Sequence, residues 1–133
     1  MLFRSDATII SMVAGATFST GDLYKFVVVN SSGHVVVPNT TGNVLPLGTL
    51  YERTSTTSAA GAQAVAVGTA GVVKVRMAAS TQSAGDFVAS STAGLGITAT
   101  TDAYVFGTIV SGSSGAVDRI HSVAVTRGPL STP

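Results

Sequence analysis

The sequence predicts a single, compact all-β domain of the sandwich or barrel kind, with long polar loops and almost no helix. Two observations carry this. Short Val-rich runs recur every eight to twelve residues or so, separated by Gly, Ser, Thr and Asn clusters, which is the rhythm of closely turned strands. Apolar residues recurring at the helical period of 3.6 are almost absent. A chain of 133 residues is also near the usual size of one domain and long enough to bury an ordinary core.

Read in order, strands are expected near 8–13, 24–29, 34–37, 46–52, 63–67, 71–77, 86–89, 95–98, 104–110 and 120–126. Asn30-Ser31-Ser32-Gly33 separates Val27-Val28-Val29 from Val35-Val36-Val37. It reads as a hairpin turn, in which Asn and Gly supply positive φ angles. Gly68-Thr69-Ala70-Gly71 reads the same way between Val65, Val67 and Val73, Val75. In its second arm Val73, Val75 and Met77 alternate with Lys74 and Arg76, so one face is expected to be buried and the other wet. Those four valines are the expected core. Segments 53–62 and 111–118 are small and polar, and read as solvated loops.

The two halves share an order of motifs. Gly21-Asp22-Leu23, Ser32-Gly33 and Gly48-Thr49-Leu50 in the first half answer to Gly85-Asp86-Phe87, Ala93-Gly94 and Gly107-Thr108-Ile109 in the second. The spacings differ. This pattern fits two similar β-subunits on one core.

Charge narrows the function classes. Charged residues make up 10% of the chain, net charge is +1 and cysteine is absent, against about 25% charged residues in an average soluble domain. Disulfides and thiolate metal sites are excluded. Disorder is disfavoured, because disordered chains are less hydrophobic and more highly charged than this one. The scattered Lys and Arg form no basic cluster that could neutralise a row of phosphates, so no nucleic-acid partner is expected. No apolar run approaches the ~20 residues of a spanning helix, and Asp6 precedes any apolar stretch, so neither a membrane nor a secretory signal is expected. A near-neutral surface favours assembly over dispersal. A homo-oligomer is therefore expected, a trimer first and a dimer second.

Catalytic chemistry is not visible. His34 and His121 lie far apart, with no pair at metal-ligand spacing. Asp22 and Asp86 sit in Gly-Asp turns, where a carboxylate commonly accepts from backbone N–H groups. Gly94-Leu95-Gly96 lacks the helix that dinucleotide binding requires, and no serine occupies a G-x-S-x-G elbow. The expectation is a protein that is not an enzyme, with no catalytic residues, no metal and no cofactor.

The ordered motifs resemble those of tailed-phage capsid decoration or cement proteins, small Ala/Gly/Val/Thr-rich β-domains. The resemblance runs over roughly residues 7 to 126. It rests on Ser19-Thr20-Gly21-Asp22-Leu23, Gly48-Thr49-Leu50, the run from Ala64 to Val72, Ala84-Gly85-Asp86, Gly107-Thr108-Ile109 and His121-Ser122-Val123-Ala124-Val125. It implies a compact β-barrel or tulip-like fold and a structural virion protein on the capsid exterior, made in the host cytoplasm. The implied partner is the major capsid protein, and the implied task is to stabilise the shell. The alternative is a phage fibre or host-surface carbohydrate-binding β-domain, weakened by three Tyr and no Trp. The expected capsid-binding residues are Met1, Leu2, Phe3 and Arg4, an apolar patch of three followed by an arginine in the N-terminal arm (residues 1–7). The tail at 127–133 is the competing candidate.

Overall fold

A computed structural model describes residues 7–41, 44–56, 59–78, 82–100, 103–111 and 119–129. They form nine strands: β1 (Ala7–Val13), β2 (Phe26–Val29), β3 (Val35–Val36), β4 (Gly48–Leu50), β5 (Ala64–Arg76), β6 (Phe87–Ser90), β7 (Gly96–Thr98), β8 (Tyr104–Ser111) and β9 (Ile120–Pro129). The described helix is one 3-10 turn, Thr20–Asp22. The all-β class and its near-absence of helix are as the sequence predicts. All strand pairs are antiparallel; two isolated parallel bridges add to them.

One expected hairpin is instead a continuous strand. Gly68-Thr69-Ala70-Gly71 does not turn, and the expected strands 63–67 and 71–77 are the two ends of β5. A Cβ on Gly68 would come within 2.6 Å of the Tyr51 ring, so this glycine makes room for an aromatic side chain. Gly71 does take a positive φ, 78°, yet it lies where β5 passes from its β1 and β4 partners to β9. The skipped register opposite Thr8 and Ile9 is a bulge, which bends a strand without ending it.

That crossing divides the sheet into two halves of one design. The first runs β3-β2-β4-β5-β1, and the second runs β7-β6-β8-β9-β5. Pairing repeats between them: Phe26↔Thr49 and Val27↔Gly48 match Phe87↔Thr108 and Val88↔Gly107. Likewise Leu50↔Val67 and Ile10↔Val67 match Ile109↔Val123 and Val73↔Val123. Parallel bridges Ala14↔Val35 and Met77↔Gly96 curl each half round on itself. The turns share one hydrogen-bond pattern. Asn30 Oδ1 accepts from the N–H of Ser32 and of His34 at 2.9 and 3.0 Å. Ser91 Oγ does the same for Ala93 and Leu95 at 3.2 and 3.1 Å.

The sequence repeat was legible but partly misaligned. Gly85-Asp86-Phe87 answers structurally to Tyr24-Lys25-Phe26, not to Gly21-Asp22-Leu23. Tyr24 and Gly85 share a positive φ (67° and 95°), and they donate to the carbonyls of Leu50 and Ile109 at 2.7 and 2.8 Å. Arg127, with φ 48°, likewise stands where the first half has Gly71.

Two apolar clusters fill the halves. Val27, Val35, Leu50, Val65 and Val67 are buried with Ala14 and Phe18. Val73, Val75, Met77, Val88, Phe106, Ile109 and Val123 form the other. The four expected core valines are all buried, two in each cluster. Phe26 joins the second cluster although its strand belongs to the first half. It points away from Val27, as successive strand residues must, and meets Phe106 edge to face with ring centroids 4.8 Å apart.

Candidate interaction surface

The titratable residues singled out in the sequence do not converge. Among the described residues, no group of three or more His, Asp or Glu could hold a metal. Asp22 and Asp86 take the turn role expected of them. Asp22 Oδ2 accepts from the Ser19 N–H at 2.8 Å, and Asp86 Oδ2 from the Ser83 N–H at 3.0 Å. Burial raises the Asp22 pKa, but the Ser19 N–H and the Lys25 ammonium, 3.0 Å from Oδ1, outweigh it and leave it below the ordinary carboxylate value. His34 follows the first turn and stands beside Gly61. Gly94-Leu95-Gly96 closes the second half, with a Cβ on Gly96 meeting Met77 Sδ at 2.7 Å.

His121 is buried on the inner face of β9 opposite Val75, and its Nδ1 has no hydrogen-bond partner. Burial, with the Arg119 charge beside it, lowers its pKa from 6.5. The unfolded chain therefore takes up the proton first as pH falls. Stability is complete above the ordinary His pKa and is lost as pH falls through it toward the folded value. Its counterpart in the first half is Val65. His121→Val is expected to remove this acid-side loss as pH falls below about 6.5, the ordinary His value, and to add on the order of 1 kcal/mol. Denaturation midpoints measured on both sides of that pH check both.

The polar loops are less bare than their composition suggests. Thr54, inside the expected solvated loop 53–62, is buried. Its Oγ1 accepts from the Phe18 N–H at 2.9 Å, and its own N–H donates to the Phe18 carbonyl at 3.0 Å. Of the segment 111–118, Ser111 ends β8, and the rest lies outside the described residues. The expected tail begins as strand, since β9 continues to Pro129, paired with Tyr104. The Arg127 guanidinium donates to the carbonyls of Pro46 and Thr69, each at 2.7 Å, and to that of Leu47. It also lies 5.3 Å from the centre of the Phe106 ring. It thus ties the end of the second half to the first. The expected capsid-binding residues Met1, Leu2, Phe3 and Arg4 lie outside the described residues, as do residues 130–133.

What the surface offers instead is apolar. Ile9, Val13, Val29, Phe87, Tyr104, Val110 and Ile120 are large hydrophobic side chains standing open to solvent. No described helix is long and apolar enough to cross a membrane.

Comparison with known proteins bears on the fold. No protein-family model matches the sequence, and no curated protein matches it. Among solved structures, the chain is similar to the N-terminal base of the head fibre protein gp8.5 of bacteriophage phi29, with a TM-score of 0.65. The match covers 96% of this chain and 100% of that one at 13% sequence identity. At that identity the likeness is one of fold.

Proposed function

We propose that this chain is a non-enzymatic structural protein of a tailed-phage head, bound to the exterior of the capsid and reinforcing its shell. The observation that carries the reading is the fold shared, nearly end to end, with the base of a phage head fibre. The charge-poor surface and exposed apolar side chains support it. A rigid β-domain straddling a seam between shell subunits adds buried area that must be lost before the seam opens. Repeated over many copies, individually modest contacts become strongly stabilising. The major capsid protein is then the partner, and self-association into a trimer or dimer fits the same task.

The same likeness favours a second reading, in which the domain is the base of a head fibre. Purified protein added to undecorated heads tests both. Binding in near-stoichiometry with the shell subunit, with heads becoming more resistant to heat or chelation, supports the cement reading. Binding at few sites without added resistance supports the fibre base. No binding to heads overturns both.

A further inference from the structure

The two halves share one design but meet by different faces. The first half presents Leu23 to Phe26. Phe26 inserts beside Phe106, and its N–H donates to the Gly94 carbonyl at 2.7 Å. From the second half, the Arg76 N–H donates to the Tyr24 carbonyl and its Nε to the Leu23 carbonyl, both at 2.9 Å. The giving face is thus 23–26, and the receiving face is the strand end at 74–77, the Gly94 turn and Phe106.

Each face has a counterpart in the other half, and there it is open. The second half's own giving face is 84–87. Gly85 has nothing within 4 Å of where a Cβ would stand, and Phe87 is 49% exposed where its counterpart Phe26 is 0%. The first half's receiving face is the end of β1, the Gly33 turn and Leu47. Gly33 also has nothing within 4 Å, whereas Gly94 meets Val37 and the Phe26 carbonyl. Leu47 and Met12 are only partly buried, whereas their counterparts Phe106 and Val75 are fully buried. Val13, in the place of Arg76, is 37% exposed. The contact between halves is therefore heterologous, one kind of surface against another, and the chain carries a free copy of each.

We infer that copies of this chain associate head to tail, the 84–87 segment of one seating Phe87 against the Gly33 turn, Leu47 and Val13 of the next. The occupant is a second copy because the surface that fits the free receiving face is the one already fitted within the chain. The Phe87 N–H then donates to the Gly33 carbonyl, repeating the Phe26 bond. Such contacts close as a ring or continue as a filament, according to the rotation each step makes. This self-association does not depend on what the assembly decorates.

Two single variants and their mixture test it, with light scattering or sedimentation giving molar mass. The wild type is expected to self-associate by about 100 μM. Phe87→Lys and Val13→Lys each damage one exposed face, and each should raise the concentration needed by more than about tenfold. Circular dichroism, and unfolding midpoints taken at concentrations where the wild type is monomeric, should stay at wild-type values, since both side chains are at the surface. An equimolar mixture should form dimers that neither variant forms alone, because each supplies the face the other has lost. A wild type that stays monomeric, a Phe87→Lys protein of unchanged mass, or a mixture without dimers would overturn the inference.

Discussion

Phe26→Ala is expected to lose about 3–5 kcal/mol of stability, the range for deleting a buried phenylalanine, whereas Phe87→Ala should lose less than about 0.5 kcal/mol in the monomer. The two residues hold the same place in matching strands, each opposite a threonine. Only Phe26 is covered, by the second cluster and the Phe106 ring. Its removal leaves a cavity between the halves and takes an aromatic pair with it. Backbone bonds around it hold the walls apart, so the cavity cannot easily collapse. Denaturant titration of both variants at low protein concentration gives the comparison. Similar losses in the two would mean that Phe26 does not join the halves.

Gly48→Ala and Gly107→Ala are expected to be at least as damaging, costing several kcal/mol or preventing soluble expression. A Cβ on Gly48 would lie 2.1 Å from the Gly68 carbonyl oxygen, and one on Gly107 would lie 2.1 Å from that of Ala124. Both obstacles are backbone atoms of the neighbouring strand, which can move only by parting the ladder. Ordinary overpacking costs about 1–3 kcal/mol where side chains can yield; here they cannot. Gly33→Ala is the contrast. It meets open space but must hold a φ of 80°, a strain of about 1–3 kcal/mol. Soluble yield and unfolding midpoints of the three variants rank them.

Much of this architecture is legible in the residues, for identifiable reasons. Alternation in Val73-Lys74-Val75-Arg76 reflects a strand with one dry face, and the structure buries the valines. Asn30-Ser31-Ser32-Gly33 carries its own turn chemistry in the Asn30 side chain and the Gly33 backbone. Gly68-Thr69-Ala70-Gly71 has the composition of a turn, but glycine is also the residue of close approach. Which use applies depends on Tyr51, distant in sequence. Phe26 and Phe87 show the same limit more sharply. Each begins a strand after a polar turn, and nothing near either says that one is covered and the other open. Thr54 and Arg127 act through backbone carbonyls or N–H groups far away, which composition does not register. The repeat was visible in its glycines. Its alignment slipped because positive φ falls on Tyr24 in one half and Gly85 in the other.

β5 gives the molecule an unusual load path. At a rise of about 3.3 Å per residue its 13 residues would reach roughly 43 Å if fully extended. One end is hydrogen-bonded within the first half and the other within the second. A force pulling the halves apart is therefore borne by a covalent chain anchored in ladders at both ends, as well as by the side-chain contacts between them. Its compliance concentrates at Thr69–Gly71, where the bulge and the positive φ of Gly71 interrupt regular extension. Under tension the protein should flex at that joint before it tears.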